Sequence, residues 1–119
     1  MAIGRAWRAT VHSWNGLRFA FRSERAFREE VAALVLALPL SWLIGTTPAR
    51  RFEMIAAILL VLVAELLNTA IEKLADRLTA ERDEQIGHVK DMGSAAVGVA
   101  LAIAGLVWLY ALGERFGLV

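Results

Sequence analysis

The chain has 119 residues, 58% of them hydrophobic, with a mean hydropathy of +0.54 and a net charge of +1. That length predicts one domain, and so much apolar surface exceeds what a soluble core needs and calls for a membrane solvent. The near-neutral balance excludes a global attraction to nucleic acid, and the absence of cysteine excludes disulfides and thiolate metal sites.

Residues 3–22 predict an amphipathic helix. Ile3, Trp7, Val11, Trp14, Leu17 and Phe21 fall within an arc of about 120° on a helical wheel, with Arg5, Arg8, His12, Asn15 and Arg22 opposite. Tryptophan on one face and arginine on the other suit a helix lying in the headgroup layer. The segment lacks the short apolar core of a cleavable signal and the serine richness of a transit peptide. Arg18 projects near the apolar arc, where a cation either snorkels or meets an anionic headgroup.

A first span is expected over 24–44, with Ser23 as its N-cap and Glu24 in its first turn. Its apolar part, Val31 to Ile44, is short for a crossing of about 20 residues. Ala26 and Phe27 extend it, while Glu29 and Glu30 snorkel at its mouth. Pro39 is tolerable if neighbours or Ser41 satisfy the freed backbone. Gly45-Thr46-Thr47-Pro48 is a turn signal.

A second span is expected over 51–78. The unbroken apolar run from Met54 to Ala64 leads into Glu65-Leu66-Leu67-Asn68-Thr69-Ala70-Ile71-Glu72, then Asp76. At roughly 100° per residue, Glu65, Asn68, Glu72 and Asp76 form one narrow polar stripe on an otherwise apolar helix. Residues 79–89 read as a polar surface loop, in which Glu81, Asp83 and Glu84 are solvated. The third span is expected over 90–112, with Ser94, Gly98, Ala102 and Gly105 forming a small-residue face for close helix contact. Trp108 and Tyr110 suit an aromatic belt at the far interface.

Basic residues set the topology. Arg5, Arg8, Arg18, Arg22, Arg25 and Arg28 share one side, after two crossings, with Lys73, Arg77, Arg82 and Lys90; Arg50, Arg51 and Arg115 take the other. The positive-inside rule places the N-terminus and the exposed end of the stripe in the cytoplasm, where ATP is available, and the C-terminus outside.

Carboxylates near membrane depth are costly unless they face a protein interior or a site. Glu65 is the deepest, and Glu72 lies two turns nearer water. Glu24 opens the preceding span at the same interface, and Lys90-Asp91 opens the third. Arg5 and Arg18 add surface cations. One or two carboxylates suffice for magnesium when nucleotide phosphates and water complete the shell, and a remaining carboxylate can act as a base. No GxxxxGK[ST] motif and no kinase glycine-rich loop is present, so any nucleotide site is built another way.

The Glu65–Glu72 stripe with Asp76, together with Val89-Lys90-Asp91-Met92-Gly93-Ser94-Ala95-Ala96-Val97, Ser13-Trp14-Asn15-Gly16-Leu17-Arg18 and Glu24-Arg25-Ala26-Phe27-Arg28, resembles the small bacterial integral-membrane diacylglycerol kinases over nearly the whole chain. The resemblance implies an all-α membrane domain over 1–119: a surface helix and three transmembrane helices per subunit, assembled as a homotrimer in the inner membrane. It implies transfer of the ATP γ-phosphoryl group to a 1,2-diacylglycerol, giving phosphatidic acid, with Mg²⁺ accompanying ATP. It implies Glu65 as the catalytic base and Glu24 and Glu72 as metal ligands. Lys90 and Asp91, with Arg5, His12, Glu24 and Glu72, would lie at the nucleotide. Arg5, Ser13, Trp14, Arg18, Glu30, Asn68 and Ser94 would lie around the lipid or support the site. Two departures from the family pattern touch the nucleotide contacts: His12 stands where an aromatic often precedes Ser-Trp, and Arg82-Asp83 replaces a tyrosine–histidine pair. A relative that phosphorylates undecaprenol shares the fold, but the Asp91-Met92-Gly93-Ser94 wording resembles the diacylglycerol enzymes more. The alternative from another class is a small proton-coupled exporter; such proteins usually carry four spans and a glutamate in the first.

Overall fold

The computed structural model describes residues 2–79 and 81–119. Among these residues the chain forms four α-helices and no strand: α1 (Ala2–Ser23), α2 (Arg25–Ile44), α3 (Pro48–Leu78) and α4 (Glu84–Arg115). Two of them, α3 and α4, are long and apolar enough to cross a membrane. At about 1.5 Å per residue, each is longer than a hydrocarbon core of about 30 Å.

Among the described residues, most of the apolar face of α1 is left uncovered: Ile3, Trp7 and Trp14 are exposed, and the one buried residue is Ala20, near the C-terminal end. There Ala20 packs with Phe27 of α2 and Leu62 of α3, and Val31, Leu34 and Leu66 close around them. This cluster fixes where the surface helix meets the bundle.

A single non-helical residue, Glu24, makes the elbow between α1 and α2, at φ −120° and ψ 113°. Its N–H donates to Ala20 O at 2.9 Å. The expected N-cap at Ser23 is not formed: Ser23 belongs to α1, its hydroxyl donates to Phe19 O, and Glu24 takes the cap position without a side-chain bond. Arg28 supplies what the elbow lacks. Its Nη1 donates to Phe21 O and Arg22 O at 2.9 and 3.0 Å, satisfying carbonyls that the end of α1 leaves open.

Pro39 lies inside α2. Ser41 is buried, and its hydroxyl donates to Leu38 O, one turn back, rather than to the carbonyl that the proline frees. In the turn to α3, a β-carbon on Gly45 would press on Ser41 O and on the Arg51 side chain, so only glycine fits there.

Helix α3 begins at Pro48, three residues before the expected start. Thr47 caps it, accepting from Arg50 N–H at 3.1 Å, and Pro48 sits at the first helical position, where a missing N–H costs nothing. Ala57 and Val61 pack on Ala100 and Ala104 of α4, small side chains that let the helices approach closely. At the end away from the elbow the pair is tied twice. Trp108 Nε1 donates to Met54 O at 3.0 Å, and Arg50 Nε donates to Glu114 at 2.7 Å while its guanidinium lies over Tyr110. Trp108 thus turns inward to its partner helix.

Helix α4 begins at Glu84, six residues before the expected start, because Asp83 accepts from Ile86 N–H and caps it. The expected loop over 79–89 shrinks accordingly; its residue 80 lies outside the described residues. The α4 residues buried inside the chain are Gly93, Ala100, Ala104 and Ala111. The expected face, Ser94, Gly98, Ala102 and Gly105, is exposed, and a β-carbon on Gly98 or Gly105 would meet open space. The chain's own packing uses the neighbouring line of small residues instead.

Candidate active site

The elbow, the last turns of α3 and the first turns of α4 lie at one end of the bundle and gather its carboxylates. Helical spacing puts Glu65, Asn68 and Glu72 in line along α3. Glu65 is partly buried, Asn68 is buried and Glu72 is exposed, so the line climbs from the bundle to solvent. Asn68 Nδ2 donates to Glu72 Oε1 at 3.2 Å. That bond fixes the amide, whose Oδ1 then points into the α3–α4 interface, buried and without a hydrogen-bond partner. It lies against Gly93, where a β-carbon would collide with it.

Two further carboxylates, Glu24 at the elbow and Glu30 on α2, lie near this line. Glu24 and Glu72 both act electrostatically on Glu65, and Glu65 acts on Glu30. Glu30 is partly buried, and its Oε2 is enclosed without a hydrogen bond. Glu24 at the elbow, Glu30 on α2, and Glu65 and Glu72 on α3 therefore share one acidic region. Lys73 answers part of this charge: Nζ lies 2.9 Å from Glu24 Oε1 and 5.2 Å from the centre of the Phe19 ring. Lys90 lies one turn beyond Glu72 and pairs with Asp76 at 2.6 Å, tying α4 to the exposed end of the stripe.

Two apolar grooves flank the elbow. One, of about 500 Å³, runs between α1 and α3 and carries Ser13 and Lys73 among Leu17, Phe19, Leu66 and Ala70. The other, of about 530 Å³, lies between α1, α2 and α3, with Arg18 and Arg22 beside Trp14, Phe27 and Leu62. A polar recess of about 400 Å³ lies across the turn from α3 to α4, lined by Asp76, Arg82, Asp83 and Lys90.

Of the expected site residues, Glu24, Glu30, Glu65, Asn68 and Glu72 come together. Lys90 reaches the same end through Asp76. Ser13, Trp14 and Arg18 line the grooves. Arg5 and His12 are exposed on α1 and, among the described residues, make no hydrogen bond or ion pair. Asp91 and Ser94 are exposed on α4 and do not join the cluster within one chain. The residues that sequence reasoning missed are Lys73, legible only as a topology charge, and Gly93, part of a recognised motif but without a role. Asp83 was legible: an aspartate ahead of a helical run is a capping signal.

Among the described residues no three histidine or acidic side chains are near enough to hold a metal by themselves. Glu24 and Glu72 are two carboxylates at the edge of the cluster. That suits a magnesium ion that arrives with nucleotide phosphates, and not one held by protein alone.

Residues 11–112 match the family described as prokaryotic diacylglycerol kinase. The chain is 44% identical to a diacylglycerol kinase of Haemophilus influenzae over 84% of its length and 85% of that protein's. A diacylglycerol kinase of Pseudomonas aeruginosa is 43% identical, over 89% of this chain and 86% of its own. A diacylglycerol kinase of Escherichia coli K12 is 40% identical, over 92% and 90%. With a family match across most of the chain and such identities over nearly full lengths, the chain belongs to the prokaryotic diacylglycerol kinase family.

Proposed function

We propose that this chain is an ATP-dependent diacylglycerol kinase of a bacterial membrane, moving the γ-phosphoryl group of ATP to the free hydroxyl of a diacylglycerol and so feeding phospholipid synthesis. The observation that carries the reading is the partly buried Glu65, placed on an apolar helix with Glu24, Glu30 and Glu72 around it and apolar grooves beside it. A lipid alcohol approaches from the membrane and a charged nucleotide from water, and Glu65 stands between the two.

In this reading Glu65 accepts the hydroxyl proton as the lipid oxygen bonds to the γ-phosphorus, the bond from that phosphorus to the β,γ-bridging oxygen breaks, and ADP leaves. Glu24 and Glu72 would hold Mg²⁺, which would supply neutralisation of phosphate charge. Asn68 fixes the carboxylate of Glu72 through its 3.2 Å bond. Lys90 reaches the phosphates from α4, with Asp91, Arg5 and His12 completing the nucleotide end. Ser13, Trp14, Arg18, Glu30 and Ser94 border the lipid. Phosphoryl transfer asks for positioning and charge neutralisation more than covalent chemistry, which suits a site made of fixed carboxylates and cations.

We read α2 as the third crossing, completed by Ala26 and Phe27, with the elbow on the cytoplasmic side and the C-terminus outside. Asp91 and Ser94 do not meet the cluster within one chain, while the small-residue face next to them is exposed. That supports a homotrimer in which this face meets another subunit. The test is purified protein in mixed micelles with ATP, Mg²⁺ and either diacylglycerol or undecaprenol. Diacylglycerol-dependent ADP release is the expected result. Preference for undecaprenol reassigns the substrate, and no lipid-dependent ADP release with either alcohol overturns the kinase reading.

A further inference from the structure

Lys73 is placed where the site, as a metal–nucleotide centre, has no obvious use for it. It follows Glu72 directly on α3, yet reaches sideways to the elbow and holds Glu24 Oε1 at 2.9 Å. The face of Phe19, 5.2 Å from Nζ, supports the ammonium from α1. One lysine thus joins α3, the elbow and the surface helix. Its partner is a carboxylate that the proposed mechanism assigns to the metal.

A carboxylate oxygen cannot serve an ammonium and a small divalent ion at full strength together. Magnesium demands near-ideal octahedral geometry at about 2.0–2.1 Å, which an ammonium hydrogen-bonded to the same oxygen obstructs. The pair is also open to water: the Lys73 side chain is 47% exposed and that of Glu24 29%. Open pairs are weak and separable, and breaking one shifts an equilibrium by about 1.4- to 5-fold. Without a cation, the repulsion among Glu24, Glu30, Glu65 and Glu72 would push the elbow away from α3.

We infer that Lys73 is an internal counter-cation: it holds the acidic elbow closed before the nucleotide binds, and an incoming metal–nucleotide displaces it from Glu24. The inference rests on the reading that Glu24 is a metal ligand. Lys73 is a positioning residue that sets how much metal–nucleotide is needed to load the site.

The test is equilibrium binding of Mn²⁺ with the non-hydrolysable analogue β,γ-methylene-ATP to detergent-solubilised protein, followed by the loss of the free-Mn²⁺ paramagnetic signal, beside binding of the analogue alone in chelator. Lys73→Met removes the competing charge and keeps the stem on Phe19. It should bind the Mn²⁺ complex two- to fivefold more tightly, with binding of the metal-free analogue unchanged. Lys73→Gln should shift binding the same way if the methionine variant folds poorly, and Lys73→Arg should restore wild-type affinity. Weaker binding of both ligands by Lys73→Met makes Lys73 a phosphate ligand and overturns the inference. So does unchanged binding of the Mn²⁺ complex while Glu24→Gln weakens it, which leaves the metal reading standing. If Glu24→Gln binds the Mn²⁺ complex as the wild type does, Glu24 is no ligand, and the metal reading falls together with the inference.

Discussion

Asn68 and Gly93 meet across the α3–α4 interface so closely that a β-carbon on Gly93 would collide with Asn68 Oδ1. The glycine leaves room for an amide whose other end holds Glu72. Gly93→Ala is therefore expected to push Asn68 off Glu72. Overpacking of this kind costs about 1–3 kcal/mol, and turnover should fall with it. A thermal-melt cycle checks the cause: in an Asn68→Ala background the same alanine at residue 93 should cost much less stability. Equal cost in both backgrounds would place the strain elsewhere.

Glu65 and Glu72 share a stripe and are expected to fail differently. A metal ligand acts in both nucleotide binding and the transition state, while a base acts mainly in the chemical step. Glu72→Gln should weaken Mg-ATP binding and slow turnover together. Glu65→Gln should bind Mg-ATP nearly as the wild type does and lose on the order of 10²-fold or more in kcat. Equilibrium Mg-ATP binding beside diacylglycerol turnover separates them. Near-wild-type turnover of Glu65→Gln would remove it as the base.

The exposed small-residue line of α4 gives a clean test of assembly. Nothing lies within 4 Å of a β-carbon on Gly98, so Gly98→Leu is accommodated by the isolated chain. If this face meets another subunit, as proposed, the leucine should force subunits apart, seen as a smaller species in crosslinking and as lost activity. Full activity with an intact trimer would turn this face to lipid.

The apolar face of α1 carries the last prediction. Trp14 is 62% exposed and borders a groove with Arg18 and Phe27. Trp14→Glu should raise the apparent KM for lipid while leaving Mg-ATP binding unchanged, because the change touches the membrane-facing side of the elbow. Unchanged lipid kinetics, with unchanged protease protection of residues 3–22, would show that the helix is not anchored there.

The helices were legible because their periods are strong: four were expected, and four are found among the described residues. Boundaries slipped where a cap outranks hydropathy. Thr47 with Pro48 starts α3, and Asp83 starts α4, before the apolar runs begin. The line Glu65, Asn68, Glu72 was visible because three polar residues on one face of an apolar helix leave few readings. What crosses between helices was not visible. Sequence spacing says nothing of which carboxylate a lysine reaches, so Lys73 on Glu24 emerged only from the fold. The small-residue face was misplaced within the chain for a related reason. Gly93, Ala100, Ala104 and Ala111 form a second line of small side chains on the same helix, and composition cannot say which line meets α3.

The ties at the far end of α3 and α4 have a mechanical consequence. Trp108 on Met54 and Arg50 on Glu114 join the two rods there, whereas the opposite tips are linked by the more exposed pair of Lys90 and Asp76. The pair works as tongs with the pivot at one end and the jaws at the other. Over roughly 37 Å from the Arg50–Glu114 pair to the Lys90–Asp76 pair, a swing of about 5° at the pivot moves the jaw by about 3 Å. Lys90 and Asp76 therefore sit at the end of the pair that moves most for a given swing, and the packed contacts of Ala57 and Val61 with Ala100 and Ala104 lie nearer the pivot.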